Sequence, residues 1–254
     1  MRGLLFAVAL ILVQGVLADC AGPMMWAYPR GNVLAQDQAL LIEGYFMDHA
    51  VFMAHMRKGK AYLQTGDTRV PLRYVTGHKG QFHLSQAMFL PTSQLVEGRT
   101  YTLYIDDLPT SLPRPTRWDK DIYDRSPISW TVAAASDNRT VTTAREAKVT
   151  RSTLVHYGCG PATYVYVSLG STIPTGTLCE VRLAHEDGKR GSYILPVKDG
   201  VIAIGHGMCA GEFGLRPGER YTADLTLLRA NGQALPESRR SVSFTGPTEE
   251  TVEE

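Results

Sequence analysis

The chain has no Gly-x-Ser-x-Gly motif and no glycine pattern of the kind that cradles phosphate. The common devices for a serine nucleophile and for nucleotide binding are therefore missing. Net charge is nearly missing too: 26 basic and 25 acidic residues leave +1, and the basic ones are scattered. Such a balance offers no electrostatic footprint for nucleic acid or an anionic membrane surface. Long stretches of helical period are lacking, and after Val13 no apolar run is long enough to cross a bilayer.

What is present begins at the N-terminus. Arg2 precedes an uninterrupted apolar stretch, Leu4 to Val13, followed by small residues at Gly15 and Ala18. With Val16 and Ala18 where signal peptidase reads, residues 1–18 are expected to be a secretory signal peptide cleaved after Ala18. A rival reading makes Cys20 the lipid-bearing residue of a bacterial lipoprotein, with Leu17 and Ala18 before it. Asp19 argues against that, because the site wants a small uncharged residue there.

All four cysteines, Cys20, Cys159, Cys179 and Cys209, lie in the exported part and make an even set that an oxidising compartment could pair. Three connectivities are possible. Cys179 with Cys209 is the favoured bridge, because a bridge within one repeat needs no particular domain packing; Cys20 with Cys159 would follow.

The mature chain reads as all-β. Short runs rich in Val, Ile, Tyr, Thr and Phe alternate with Gly, Pro, Asn and Asp. Strands are expected over 39–45, 51–56, 70–75, 82–89, 101–106 and 128–133, then 163–169, 180–185, 192–197, 201–205, 221–228 and 241–245. Asp187-Gly188, Asp199-Gly200 and Asn231-Gly232 are two-residue turn signals between such runs. Residues 133–140 lose the alternation and read as a linker, within which Asn138-Arg139-Thr140 fits the N-glycosylation pattern. Residues 248–254 form an acidic tail, expected to be solvated.

One phrase occurs twice. Leu95, Gly98, Tyr101 and Thr102 recur as Leu215, Gly218, Tyr221 and Thr222, offset by 120 residues, about one small domain. In each copy a Leu stands six positions before a Tyr that opens an apolar alternating run. This matches the corner where a β-sandwich chain crosses between sheets and a Tyr hydroxyl bonds back to upstream backbone. With the signal peptide and six to seven short strands per repeat, the chain resembles tandem immunoglobulin-like or fibronectin-type-III-like domains of bacterial exported proteins. Two departures stand out: Glu97 replaces the proline seen at Pro217, and neither repeat has the Cys…Trp…Cys core of antibody domains. The resemblance implies a first sandwich over 19–135, a second over 136–247, and a scaffolding, adhesion or accessory role.

Between the expected strands at 101–106 and 128–133 lies a connection of about twenty residues. Unstructured connections that long are uncommon unless they are functional or disordered. Leu108 to Pro127 carries prolines that stiffen it, with Arg114, Arg117, Trp118 and Tyr123 supplying the donors and amphipathic area in which recognition surfaces are enriched. These four residues are the candidate binding site for a protein or glycan partner. The alternative fate of Trp118 is burial against its own or the neighbouring repeat.

Chemistry has weaker candidates. Cys-Gly-Pro at Cys159-Gly160-Pro161 also surrounds some cysteine-peptidase nucleophiles, with His156 nearby, but strand material follows where a helix should begin. His185-Glu186 starts like a zinc-peptidase helix, yet Lys189 stands where the second His belongs. His49 and His55 on one strand face, His206 with Cys209, and Asp106, Asp107, Asp119, Asp121 and Asp124 are incomplete metal sets. No cofactor is expected.

Overall fold

The computed structural model describes residues 22–118, 123–124, 127–134, 147–158, 160–170, 173–174 and 176–249, with the backbone alone at 117–118, 123–124 and 236–237. The signal segment 1–18, Cys20, Asn138, Cys159 and residues 250–254 lie outside the described residues.

Residues 24–133 hold β1 (Met24–Tyr28), β2 (Val33–Ala35), β3 (Leu40–Tyr45), α1 (His49–Arg57), β4 (Ala61–Thr65), β5 (Thr68–Lys79), β6 (Leu84–Pro91), β7 (Thr100–Ile105), β8 (Arg117–Trp118), β9 (Tyr123–Asp124) and β10 (Ser129–Ala133). Eight of the strands form one sheet in the order β1-β3-β6-β5-β4-β7-β10-β2. β5 is the element that folds it over. Its first residues pair with β4, the later ones pair with β6, and the register shifts between Tyr74 and Thr76. A break of that kind bends a strand and strengthens its twist. The two layers meet on Met25, Leu34, Ile42, Leu63, Phe89, Leu103 and Trp130, all buried. Trp130 also donates its indole N–H to the Pro29 carbonyl at 2.9 Å, so the largest core side chain leaves no polar atom unpaired.

The expected strand over 51–56 is a helix. Asp48 caps α1, its Oδ1 accepting from the Val51 amide at 2.8 Å, and Phe52, Met53 and Met56 are buried on one face. Their i, i+1, i+4 spacing is helical, and burying each of the three stabilises by about 1.5–3 kcal/mol.

Residues 148–245 hold β11 (Lys148–Tyr157), β12 (Gly160–Ser168), β13 (Leu178–His185), β14 (Arg190–Pro196), β15 (Val201–His206), β16 (Arg220–Leu228) and β17 (Ala234–Thr245). They make a three-stranded sheet, β11-β12-β15, and a four-stranded sheet, β14-β13-β16-β17. Val165, Val167, Ile202 and Ile204 from the first meet Val181, Leu183, Tyr193, Leu225 and Phe244 from the second. The Asp187-Gly188 and Asn231-Gly232 signals fall at the β13–β14 and β16–β17 turns; Asp199-Gly200, both at positive φ, turns the chain from β14 toward β15 in the other sheet.

β6 is covered on both faces. Ala87 and Phe89 enter the core of residues 24–133, while Leu84, Gln86 and Met88 face the residue 148–245 half. Every residue from Leu84 to Phe89 is buried.

Candidate functional site

The connection after β7 is anchored rather than loose. Leu112 is buried in the core, Leu108 packs against it, and the Thr116 amide donates to the Met25 carbonyl at 2.8 Å. The backbone then forms the two-stranded ribbon β8–β9, a sheet of its own lying beside β1, in which Trp118 is the Cα partner of Tyr123 and Arg117 that of Asp124. Three of the four sequence-chosen binding residues thus come together in one hairpin. The fourth, Arg114, is exposed in the approach to it. The ribbon side chains, and Asp119 and Asp121, lie outside the described residues.

The two corners share one kind of backbone bond. The Tyr101 hydroxyl accepts from the Val96 amide at 3.3 Å, and the Tyr221 hydroxyl from the Arg216 amide at 2.8 Å. Leu95 and Leu215 are buried beneath them. Gly98 and Gly218 sit at φ of 76° and 78°, a region that L side chains enter at a cost, and their amides donate to Val132 and Gly246 carbonyls.

Cys179 is a free thiol in the core, and burial pushes it up to about 12. The expected Cys179–Cys209 bridge therefore does not form: Cys179 is fully enclosed, with Val181, Tyr193 and Leu225 in the same cluster. Cys209 is disulfide-bonded. His156 is exposed in β11, and β12 begins at Gly160, so a strand and not a helix follows the Cys-Gly-Pro sequence. Among the described residues no helix begins there, and a helix N-terminus is what lowers a thiol pKa in that kind of site.

The metal readings are corrected similarly. His49 and His55 lie on α1 rather than a strand, His49 Nδ1 lies 2.9 Å from the Ser85 hydroxyl, and His206 Nδ1 lies 2.8 Å from the Gly207 carbonyl. Among the described residues no group of three or more His, Cys, Asp or Glu could hold a metal ion.

Sequence reasoning missed the junction between the halves. Gln86, fully buried, donates to the Ile194 carbonyl at 2.9 Å and accepts from the Ile194 amide at 3.1 Å. Glu43 on β3 accepts from Trp26 Nε1 at 2.5 Å, Tyr193 Oη at 3.0 Å and Gln86 Nε2 at 3.1 Å. Glu212 approaches from the other half. Poor solvation, then the charge of Glu43, pushes its carboxyl up to about 7. Ala39, Leu41 and Met88 meet Leu178, Ile194 and Leu228 beside these polar contacts.

A cleft of about 520 Å³ opens along this junction, lined by Lys79 and Gln81 on one side and by His185, Asp187, Lys189, Arg216 and Glu219 on the other. His185 Nδ1 is 2.5 Å from Asp187 Oδ1. Glu219 Oε2 stands 2.6 Å from Nε2, close but out of line with the ring N–H. The Lys189 ammonium and then His185 hold the Asp187 carboxyl well below the usual carboxylate range. The His185 ring also packs against Tyr221, with centroids 5.0 Å apart. These contacts tie the β13–β14 turn to the second corner. The signal available in the sequence was a His at a strand end beside an Asp-Gly turn, and it does not reveal which strand the turn would meet.

No family model matches the chain, and no curated protein matches it. Among solved structures it is similar to the pullulanase of Anoxybacillus sp. LM18-11 at 13% identity, covering 81% of this chain and 25% of that one, with a TM-score of 0.26. It is similar to the N-terminal part of the bacterial S-layer protein SbsC at 12% identity, covering 89% and 44%, with a TM-score of 0.29. A BSP domain of a biofilm associated protein matches at 6% identity, covering 88% and 58%, with a TM-score of 0.22. The chain thus spans less than two thirds of each of these structures.

Proposed function

We propose that the chain is an exported, non-enzymatic module of two β-sandwiches that binds a protein or glycan partner through the segment 108–127. The observation that carries this reading is the ribbon β8–β9, whose register sets Trp118 opposite Tyr123 on a base fixed by Leu112 and Thr116. An aromatic pair on an anchored hairpin loses little conformational freedom on binding.

The strand orders support the immunoglobulin-like and fibronectin-type-III-like resemblance. Lettering the first-half strands β1, β3, β4, β5, β6, β7 and β10 as A to G gives A-B-E-D in one layer and C-F-G in the other, the constant-type arrangement. In the second half the fourth strand pairs with the third instead of the fifth, giving three plus four. Both corner tyrosines then lie on the strand lettered F, where that superfamily carries them. Export rests on residues 1–18; no helix among the described residues is long and apolar enough to cross a membrane.

The test uses the mature chain as bait on envelope and culture-fluid fractions of its host, beside the variant carrying Arg117→Ala and Trp118→Ala. The variant is expected to lose the captured partner while its melting temperature stays unchanged. Equal capture by both proteins would refute the ribbon as the recognition element. A free Cys159 thiol that reacts at neutral pH would instead favour the alternative centred on Cys159 and His156.

A further inference from the structure

The outer face of β4, β7 and β10 takes no part in either core or in the junction. It presents Tyr62 and Gln64 from β4, Thr100, Thr102 and Tyr104 from β7, and Ser129 and Thr131 from β10. Register makes them neighbours: Tyr62 opposite Tyr104, Gln64 opposite Thr102, Thr102 opposite Ser129, and Thr100 opposite Thr131.

At one end the Tyr62 and Tyr104 rings stack, with centroids 5.5 Å apart and planes 17° from parallel. Tyr62 is held in place: the Arg69 guanidinium lies 4.5 Å from its ring centroid, and its hydroxyl donates to Asp106 Oδ1 at 3.2 Å. Tyr104 is the open member of the stack, 41% exposed against 9% for Tyr62. The charges bordering this end are matched, Arg69 with Asp106 and Lys60 with Asp107.

Beyond the rings the face is uncharged and hydroxylated. Thr102 and Ser129 share a hydrogen bond of 2.8 Å, Thr100 and Thr131 one of 3.2 Å. Two hydroxyls that share one bond fix each other's rotors and still offer a donor and further lone pairs. From Thr100 to Tyr104 the strand runs roughly 14 Å, longer than a single sugar ring.

We propose that this face binds an uncharged polysaccharide, with a sugar ring stacked on Tyr104 and neighbouring units hydrogen-bonded along Gln64, Thr102, Ser129, Thr100 and Thr131. A sugar ring is apolar on its C–H face and rimmed by hydroxyls, and the surface repeats that division: a pinned aromatic stack next to a row of neutral polar side chains. Because the rings and rotors are ordered before binding, less entropy is lost when the chain settles. The site is distinct from the ribbon and stands or falls without it.

Affinity electrophoresis tests this with the mature chain in gels containing mixed-linkage β-glucan, xylan, galactomannan or soluble starch, and polygalacturonate as the charged comparison. Retardation by at least one neutral polymer is expected. Tyr104→Ala should weaken it on the order of tenfold, as loss of an aromatic stack does. Thr102→Val should weaken it as well, and Trp118→Ala should leave it unchanged. Tyr104 is exposed, so its variant is expected to keep the parent melting temperature. The proposal is overturned if no neutral polymer retards the protein, if only polygalacturonate does, or if Tyr104→Ala and Thr102→Val both migrate like the parent.

Discussion

Gln86 treats Ile194 as a strand would: its amide nitrogen donates to the Ile194 carbonyl at 2.9 Å and its oxygen accepts from the Ile194 amide at 3.1 Å. The side chain thereby pairs the otherwise open edge of β14 with a residue of β6. A buried edge must be paired somewhere, because unsatisfied backbone groups are costly away from water. Gln86→Leu removes both bonds, and the one to Glu43 Oε1 at 3.1 Å, without removing bulk. It should lower unfolding free energy by about 1–3 kcal/mol for each group left unsatisfied, read as a fall in the denaturant midpoint.

Glu212 gives the junction a pH dependence of known sign. Its folded-state carboxyl is raised to about 7 from the usual 4.5, so the folded state holds the proton more tightly than the unfolded chain. Its contribution is therefore fully present below pH 4.5 and is lost as pH rises toward 7. Buried histidines such as His78, whose pKa burial lowers, act in the opposite sense below 6.5. Comparison with Glu212→Gln isolates the carboxylate. The variant's advantage in melting temperature should be small at pH 4.5 and grow steadily to pH 8; a constant difference across that range would remove Glu212 from the account.

The cysteines should separate by reactivity. Native protein is expected to leave Cys179 unmodified by a thiol reagent, because the side chain is 0% exposed and burial holds it in the thiol form. Denaturation without reductant should expose Cys179 and leave Cys209 blocked. Mass spectrometry of non-reducing digests checks both, and a Cys179–Cys209 peptide pair would contradict the fold at β13.

Much of the strand framework was legible because its signals are local. The Leu-x-x-Gly-x-x-Tyr corners, the Asp-Gly and Asn-Gly turns and the alternating runs at β7, β13 and β16 each depend on a few neighbouring residues. The helix α1 was misread because Val51 and Phe52 suggested a strand, while the decisive evidence was the Asp48 cap and the spacing of Met53 and Met56 beside Phe52. β1, β2, β4, β8, β9 and β11 were missed: β8 and β9 are two residues long, β2 is three, and β11 buries only Leu154, so none of these four carries a strong alternation. The bridge between Cys179 and Cys209 failed because sequence spacing says nothing about which side chains point into a core. The junction was invisible for a related reason, since Glu43, Gln86, Tyr193 and Glu212 become partners only after distant strands have paired.

Each corner should contribute separately to stability. Tyr101→Phe deletes the bond from the Val96 amide, and Tyr221→Phe deletes the bond from the Arg216 amide together with the long one to Glu219 Oε2 at 3.4 Å; each should cost about 1 kcal/mol or somewhat more, adding in the double variant because the two hydroxyls share no partner.

Residue-resolved amide exchange on the mature chain tests the duplicated architecture most directly. Val96 and Arg216 lie in exposed turns, yet their amides donate to the Tyr101 and Tyr221 hydroxyls. The expected result is slow exchange at both amides, with Tyr101→Phe releasing Val96 alone and Tyr221→Phe releasing Arg216 alone. Exchange at the rate of the surrounding turn residues, or loss of protection at both positions from one substitution, would contradict two independently clamped β modules.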